Sequence, residues 1–252
     1  MDDNSFKDPQ FAQLYDLMMK ANDSFTIELD FWKASAEYYG DPILELGCGT
    51  GRILLPLAQL GYDITGIDIS YPMLAVLKQK LINCPSEIQK KIHLVQGDMS
   101  NKTAPGRFNL IIFAVSSFLA LKNDDERLSC LNNCNQLLSD HGALILSNSK
   151  FEKNIVASSP EKEIIIDHDN VKKRFTVSEN EWHEGAFIDF LYFTTVSTGI
   201  TEKYHWSLYP IEDCKMKELI QTAGLQLVMP DPSLISKMRE GAWFYICQKR
   251  IP

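Results

Sequence analysis

Ile43-Leu44-Glu45-Leu46-Gly47-Cys48-Gly49-Thr50-Gly51 is the stretch that decides the fold. Ile43 to Leu46 reads as a short buried strand, Gly47 to Gly51 as a glycine-rich turn, and Arg52 to Leu60 as the helix that follows. Glycines let a backbone turn sharply and come close to a ligand. The helix start offers unpaired N–H groups to an anionic or polar group. A strand-to-helix turn of this kind also suits a dinucleotide. Glu45, two residues before the first glycine, separates the two readings: a carboxylate there favours an ammonium or sulfonium ligand and repels a pyrophosphate.

Upstream, Phe11, Leu14, Tyr15 and Met18 recur at helical spacing, and a second helical pattern runs through Phe25, Leu29, Trp32 and Ala36. Asp41-Pro42 then breaks the helix and launches the strand. Downstream, strands over Asp63–Ile67, Ile92–Val95, Asn109–Ala114 and Ala143–Ser147 alternate with helices over Ser70–Leu81 and Asp124–Leu138, the latter ending near Asp140-His141-Gly142. Ser70 is a natural N-cap, and Pro72 is tolerated in the first turn. This alternation indicates an α/β protein with a parallel, doubly wound sheet. The rhythm changes from about Glu163 to Tyr209, where four β-rich runs without helical period predict an antiparallel layer over one end of the sheet. A helix over Ile211–Ala223, stopped at Gly224, and two strands over Leu225–Val228 and Trp243–Gln248 close the chain.

Lys and Arg total 25 against 33 Asp and Glu, a formal net charge of −8. Nucleic-acid binding draws on Lys and Arg contacts to phosphates, so a nucleic-acid substrate is disfavoured; the longest basic run is Lys172-Lys173-Arg174. None of the 6 cysteines forms a C-x-x-C pair. Cys130 and Cys134 sit one helical turn apart and read as packed thiols rather than zinc ligands, so no metal site is expected. Met1-Asp2-Asp3-Asn4 is unlike a signal peptide, and no apolar run reaches membrane-spanning length. The expected setting is the reducing cytoplasm, without membrane association.

Three further segments follow the glycine turn in order. Gly66-Ile67-Asp68-Ile69-Ser70 ends the second strand, Gln96-Gly97-Asp98-Met99 the third, and Phe108-Asn109-Leu110-Ile111-Ile112-Phe113-Ala114 is the fourth. With Glu45 and its glycines, they resemble the successive motifs of the class I S-adenosylmethionine-dependent methyltransferases. The resemblance covers about Tyr15 to Ser147. It implies a Rossmann-like, seven-stranded, mostly parallel sheet with an antiparallel last strand, and S-adenosyl-L-methionine as cofactor, leaving S-adenosyl-L-homocysteine as product. It implies that Glu45, Gly47, Cys48 and Gly49 form the loop against the methionine part, and that Asp68 accepts from both ribose hydroxyls. By the same resemblance Ile69 and Met73 flank the adenine, Asp98 and Met99 meet its edge, and Ala114, Val115, Ser116 and Ser117 lie near the transferred methyl. Taken singly, Asp68 also reads as a helix N-cap and Asp98 as a turn residue.

The implied layout is an N-terminal helical cap (1–40), a cofactor-binding core (41–150), a β-rich insertion serving as substrate lid or dimer face (151–209), and a completion of the core sheet (210–252). Similar enzymes act on sugar amines and amino acids, and some dimerise through the insertion; Ser147-Asn148-Ser149-Lys150-Phe151 lacks the Glu-Pro-aromatic run associated with the amino-sugar enzymes. Tyr15, followed by Asp16, resembles a Tyr-Asp pair whose ring lies close to the sulfonium, and core packing is its alternative. Trp182, His183, Tyr204, His205 and Trp206 are candidates to line a substrate pocket. His205 is the better general-base candidate, and Asn148 and Lys150 sit where substrate contacts arise. No catalytic dyad is evident, which favours a small-molecule amine over a hydroxyl or carboxyl acceptor. The competing classes are a nicotinamide oxidoreductase and a non-catalytic cofactor-binding module.

Overall fold

The computed structural model describes residues 5–20, 24–101, 104–148, 164–168, 171–238 and 243–250. After a short 3-10 turn over Ser5–Lys7 come α1 (Pro9–Lys20) and α2 (Ser24–Tyr39). The core then runs β1 (Ile43–Leu46), α3 (Leu54–Gln59), β2 (Ile64–Asp68), α4 (Tyr71–Ile82), α5 (Ser86–Gln89), β3 (Ile92–Gln96) and β4 (Phe108–Phe113). A second 3-10 turn, Ser117–Ala120, leads to α6 (Asp124–Leu137) and β5 (Leu138–Asn148). Next come β6 (Ile164–His168), β7 (Val171–His183), β8 (Ala186–Thr195) and β9 (Thr201–Leu208). The chain closes with α7 (Asp213–Thr222), β10 (Leu225–Leu227), α8 (Pro232–Ile235) and β11 (Trp243–Lys249).

The main sheet has seven strands in the order β10-β11-β5-β4-β1-β2-β3. All its core pairs are parallel except those of β11, which runs antiparallel to both β5 and β10. This is the expected doubly wound Rossmann-like α/β fold. Leu44, Leu46, Ile111 and Phe113 bury one face of the sheet against α6 and α7, while Ile43, Leu110 and Ile112 bury the other against α2 and α3. A sheet covered by helices on both faces explains why β4 reads as a continuous apolar run. Gly66, at the middle of β2, is where α3 presses closest: a Cβ there would stand 2.3 Å from Leu54 Cδ1 and 2.8 Å from Cys48 Sγ.

The 4-stranded second sheet has the order β6-β7-β8-β9, each pair antiparallel. Glu184 and Gly185, at φ 48° and 82°, make the two-residue hairpin between β7 and β8. Phe175, Leu191, Phe193 and Tyr204 on its inner face share one apolar cluster with Phe11, Leu14, Met18 and Met19 of α1 and Met73 of α4. Helix α1 is therefore the floor of this layer and the roof over the start of α4. Each fully buried side chain of this size contributes about 1.5–3 kcal/mol.

One local expectation is corrected, two short helices are added, and the reading of Cys130 and Cys134 holds. The strand after α6 begins at Leu138 rather than Ala143, and Asp140-His141-Gly142 lies within it. A shift of register against β4 absorbs the extra length, and a Cβ on Gly142 would lie 2.9 Å from the carbonyls of both Phe108 and Asn109. Helices α5 and α8 have only 4 residues each, too few for a helical period to show. Cys130 and Cys134 are fully buried in the core, as packed thiols. Among the described residues no helix is long and apolar enough to cross a membrane.

Candidate active site

At the C-terminal end of the parallel strands, Gly47, Gly49 and Gly51 take φ values of 74°, 53° and 81°. These lie in the left-handed region, where a Cβ is penalised. Gly47 is also constrained by space, since its Cβ would come 2.9 Å from Ser117 Cβ, whereas a Cβ on Gly49 would meet nothing within 4 Å. The loop is stitched to β2: the Gly47 and Cys48 amides donate to the Ile67 carbonyl at 2.8 and 3.1 Å. The Cys48 thiol is buried with Ile53 and Leu54, so any contact of Cys48 with a ligand runs through its backbone.

Asp68 closes the loop from the other side. Its Oδ2 accepts from the Gly49 amide at 2.7 Å and its Oδ1 from the Ser70 amide at 2.8 Å. A carboxylate has about four acceptor sites, so two remain for other donors. Ser70, not Asp68, caps α4, accepting from the Met73 amide. Burial raises the Asp68 carboxyl above its ordinary value, and the two amide bonds oppose that rise.

Glu45 is 3% exposed and its Oε2 has no hydrogen-bond partner. Burial, with Asp68 and Glu28 nearby, pushes the carboxyl up to about 8, against the pull of Arg52 and the Leu54 amide. A buried carboxyl with an unpaired oxygen beside an open glycine loop suits a cationic group better than a pyrophosphate.

The roof is tied to the loop by charge. Asp16 of α1 accepts from Thr50 Oγ1 at 3.0 Å and from Lys80 Nζ at 2.6 Å, and Lys80 also donates to the Thr50 carbonyl. Lys80→Met should lower stability by about 1–2 kcal/mol through these charge-assisted bonds. Urea denaturation reads the loss directly, and unchanged stability would remove the clamp from the account. The neighbouring Tyr15 phenol has Arg52, Asp68, Glu28 and Asp16 as electrostatic neighbours, and burial pushes it up to about 12, so it stays neutral. Its ring meets Phe6 and Trp206 edge-on, at 5.8 and 6.3 Å.

After β4 the chain turns through Val115 and Ser116 with φ of 50° and 58°. A β-branched residue in this conformation is an outlier, costing about 1–3 kcal/mol. The Val115 amide donates to Glu28 Oε1 at 3.2 Å, and Ser117 Oγ donates to the Leu46 carbonyl at 3.1 Å.

The structure thus gathers Tyr15, Glu45, Gly47, Cys48, Gly49, Asp68 and the segment from Ala114 onward around one loop. Ile69, next to Asp68, is 64% exposed and offers an apolar surface. Asp98 follows β3 in a turn, its Oδ1 accepting from both the amide and hydroxyl of Ser100 at 2.8 Å, and Met99 packs on the core. Met73 is not presented to the open side: it is 2% exposed, covered by α1. His205 is not brought to the site. Its cross-strand neighbour is Phe190, 6.0 Å away ring to ring, whereas Tyr204 and Trp206 on either side of it face α1. Alternation along a strand puts His205 on the opposite face. His183 is exposed at the hairpin, and Lys150 lies outside the described residues. Glu28 and Arg52, paired at 3.3 Å, were missed from sequence. Arg52 directly after the last glycine was the available signal; Glu28 looks like any solvated helix charge.

Residues 43–142 match the family model described as a methyltransferase domain. YqeM of Bacillus subtilis (strain 168), which carries a methyltransferase name, is 26% identical over 226 residues, 86% of this chain and 85% of its own. The cypemycin N-terminal methyltransferase of a Streptomyces species is 25% identical over 146 residues, 58% of this chain and 57% of its own. Among solved structures, the CcbJ methyltransferase from Streptomyces caelestis superposes with a TM-score of 0.76 at 18% identity, covering 100% of both chains. Domain match, relatives and fold agree with the glycine loop and the unpaired oxygen of Glu45: residues 43–142 form a methyltransferase domain in a chain of Rossmann-like methyltransferase fold, with S-adenosylmethionine as its cofactor.

Proposed function

We propose that the protein methylates an amine nitrogen of a small molecule. The observation that carries this is the acidic surroundings of Tyr15, where Asp16, Glu28 and Asp68 exceed the two cations that pair with them, Lys80 on Asp16 and Arg52 on Glu28, by one charge. A basic or ammonium-bearing substrate is drawn to such a place. Base catalysis points the same way. The neutral Tyr15 phenol is no base below about 12, and His205 faces away, which suits a nucleophile that needs no strong base to attack.

When bound, the cofactor supplies an activated methyl on a sulfonium. The chain's own residues hold and orient it. Glu45 and the backbone of Gly47, Cys48 and Gly49 take the cationic methionyl end, and Asp68 uses its two remaining acceptor sites for the ribose diol. Exposed Ile69 offers one wall for the adenine, with Asp98 and Met99 at its edge, and Ala114 stands at the methyl end. In this reading Met73 supports that wall from beneath. The Tyr15 ring, backed by Trp206, faces developing positive charge. The acidic balance supports a metabolite over a nucleic acid, and the scattered thiols support the cytoplasm. Pairing of two copies through the β-layer is part of this reading, supported by the half-buried Phe190 and Tyr192.

The test is calorimetric titration with S-adenosylhomocysteine, then transfer of labelled methyl to panels of small amines, amino acids, phenols and carboxylic acids. Micromolar binding with transfer to amines alone is expected. Transfer confined to hydroxyl or carboxyl compounds would replace this reading with O-methylation.

A further inference from the structure

We propose that Glu28, on the cap helix α2, is a positioning residue: it holds the left-handed turn after β4 against the glycine loop and so completes the cofactor cradle. The inference rests on the reading of the glycine loop as that cradle.

Val115 is the least suited residue of the turn to a positive φ, because its branched Cβ crowds the backbone there. Such a conformation persists only where the surroundings enforce it. Glu28 Oε1 is the acceptor the structure provides, taking the Val115 amide at 3.2 Å. The same oxygen accepts from Trp32 Nε1 at 3.0 Å, one helical turn away and wholly buried, which fixes the carboxylate in place. The other oxygen pairs with Arg52 Nη2 at 3.3 Å.

The turn in turn touches the loop. Ser117 donates its hydroxyl to the Leu46 carbonyl and its amide to the Ala114 carbonyl, and it fills the space beside Gly47 that a Cβ would need. A shift at Val115 is therefore passed to Gly47 within two residues. Arg52 carries a second link, since it is an electrostatic neighbour of both Glu45 and Tyr15. Glu28 joins α2, the methyl-end turn and the start of α3 at one carboxylate, without facing the ligand itself.

Glu28→Ala and Glu28→Gln separate the two links. Gln keeps an acceptor for Val115 and Trp32 but loses the charge that holds Arg52. The readouts are calorimetric affinity for S-adenosylhomocysteine, amide hydrogen exchange over residues 113–121, and melting temperature. Glu28→Ala is expected to weaken binding at least tenfold and to speed exchange in that segment. Glu28→Gln should stay within threefold of the parent protein with slow exchange kept. In the Glu28→Ala background, Val115→Gly should recover most of the affinity, because glycine takes the left-handed conformation without support.

Wild-type affinity and exchange in Glu28→Ala would overturn the proposal. So would a Gln variant as weak as the Ala variant, which would assign the effect to the Arg52 pair. None of these readouts needs a methyl acceptor, so failure of the amine reading leaves them intact. If the parent protein bound no S-adenosylhomocysteine, the cradle would fall, while the exchange contrast between the Ala and Gln variants would still decide the turn.

Discussion

Glu45→Gln is expected to stabilise the empty protein above pH 8 while weakening its hold on the cofactor by roughly 100-fold, about 3 kcal/mol. Burial moves the carboxyl from an ordinary 4.5 to about 8. A raised value means that folding takes up a proton between those two limits. The contribution of protonated Glu45 is thus fully present below about pH 4.5 and is lost as pH rises through about 8. Gln mimics the protonated form at every pH. Its advantage should be about 1 kcal/mol at about pH 5 and level off at ~5 kcal/mol by about pH 9. Denaturant titrations of both proteins at these two conditions measure it. Binding of a cation reverses the preference, because only the ionised carboxylate rewards it. Affinity of the parent protein should therefore climb between about pH 6 and 8, with release of up to one proton visible as a buffer-dependent heat. Equal stability of the two proteins across this range, or equal affinity, would remove Glu45 from the site.

Asp68→Ala should weaken binding of S-adenosylhomocysteine by about 3 kcal/mol, roughly 150-fold. Two losses add here. The proposed bonds to the ribose diol disappear, and the Gly49 and Ser70 amides lose the carboxylate that aligns them at 2.7 and 2.8 Å. Adenine-free and ribose-free fragments distinguish the two: homocysteine-like fragments should lose only the part due to the loosened loop. Asp68→Asn, which keeps acceptor atoms without charge, should fall between. Unchanged affinity in the Ala variant would leave Asp68 as a loop brace alone.

The sheet was legible because its signals are local. The strands β1, β2 and β3 are short runs closed by Gly or Asp, β4 is a longer apolar run, and the order of glycines and carboxylates after the first three needs no tertiary information. What stayed hidden depends on register or on distant partners. His205 and Trp206 look equally plausible in sequence; pairing of Phe190 with His205 decides which one faces α1, and one residue of slip would exchange them. Met73 reads as a ligand neighbour until α1 is seen to cover it. The partners of Glu28 at Arg52 and Val115 lie 24 and 87 positions away, beyond any periodicity. The second oxygen of Asp68 shows the opposite case: the N-cap and ribose readings competed in sequence, and Ser70 takes the cap.

The packing of α1 between the β-layer and α4 has a practical corollary for engineering. Side chains between Phe6 and Met19 share one apolar cluster with Phe175, Leu191, Phe193, Tyr204 and Trp206 of the β-layer, and Phe6 stacks on Trp206 at 5.8 Å across that boundary. These two stretches form a single transplantable part, although most of the Rossmann core separates them along the chain. A chimera that exchanged the sheet for a relative's, in pursuit of a new acceptor, would leave Phe11 and Leu14 against foreign side chains. Exchanging both stretches together keeps that seam intact, and the cut then falls between α1 and α4, where Met73 and Val76 and the polar clamp of Asp16, Thr50 and Lys80 are the contacts to preserve.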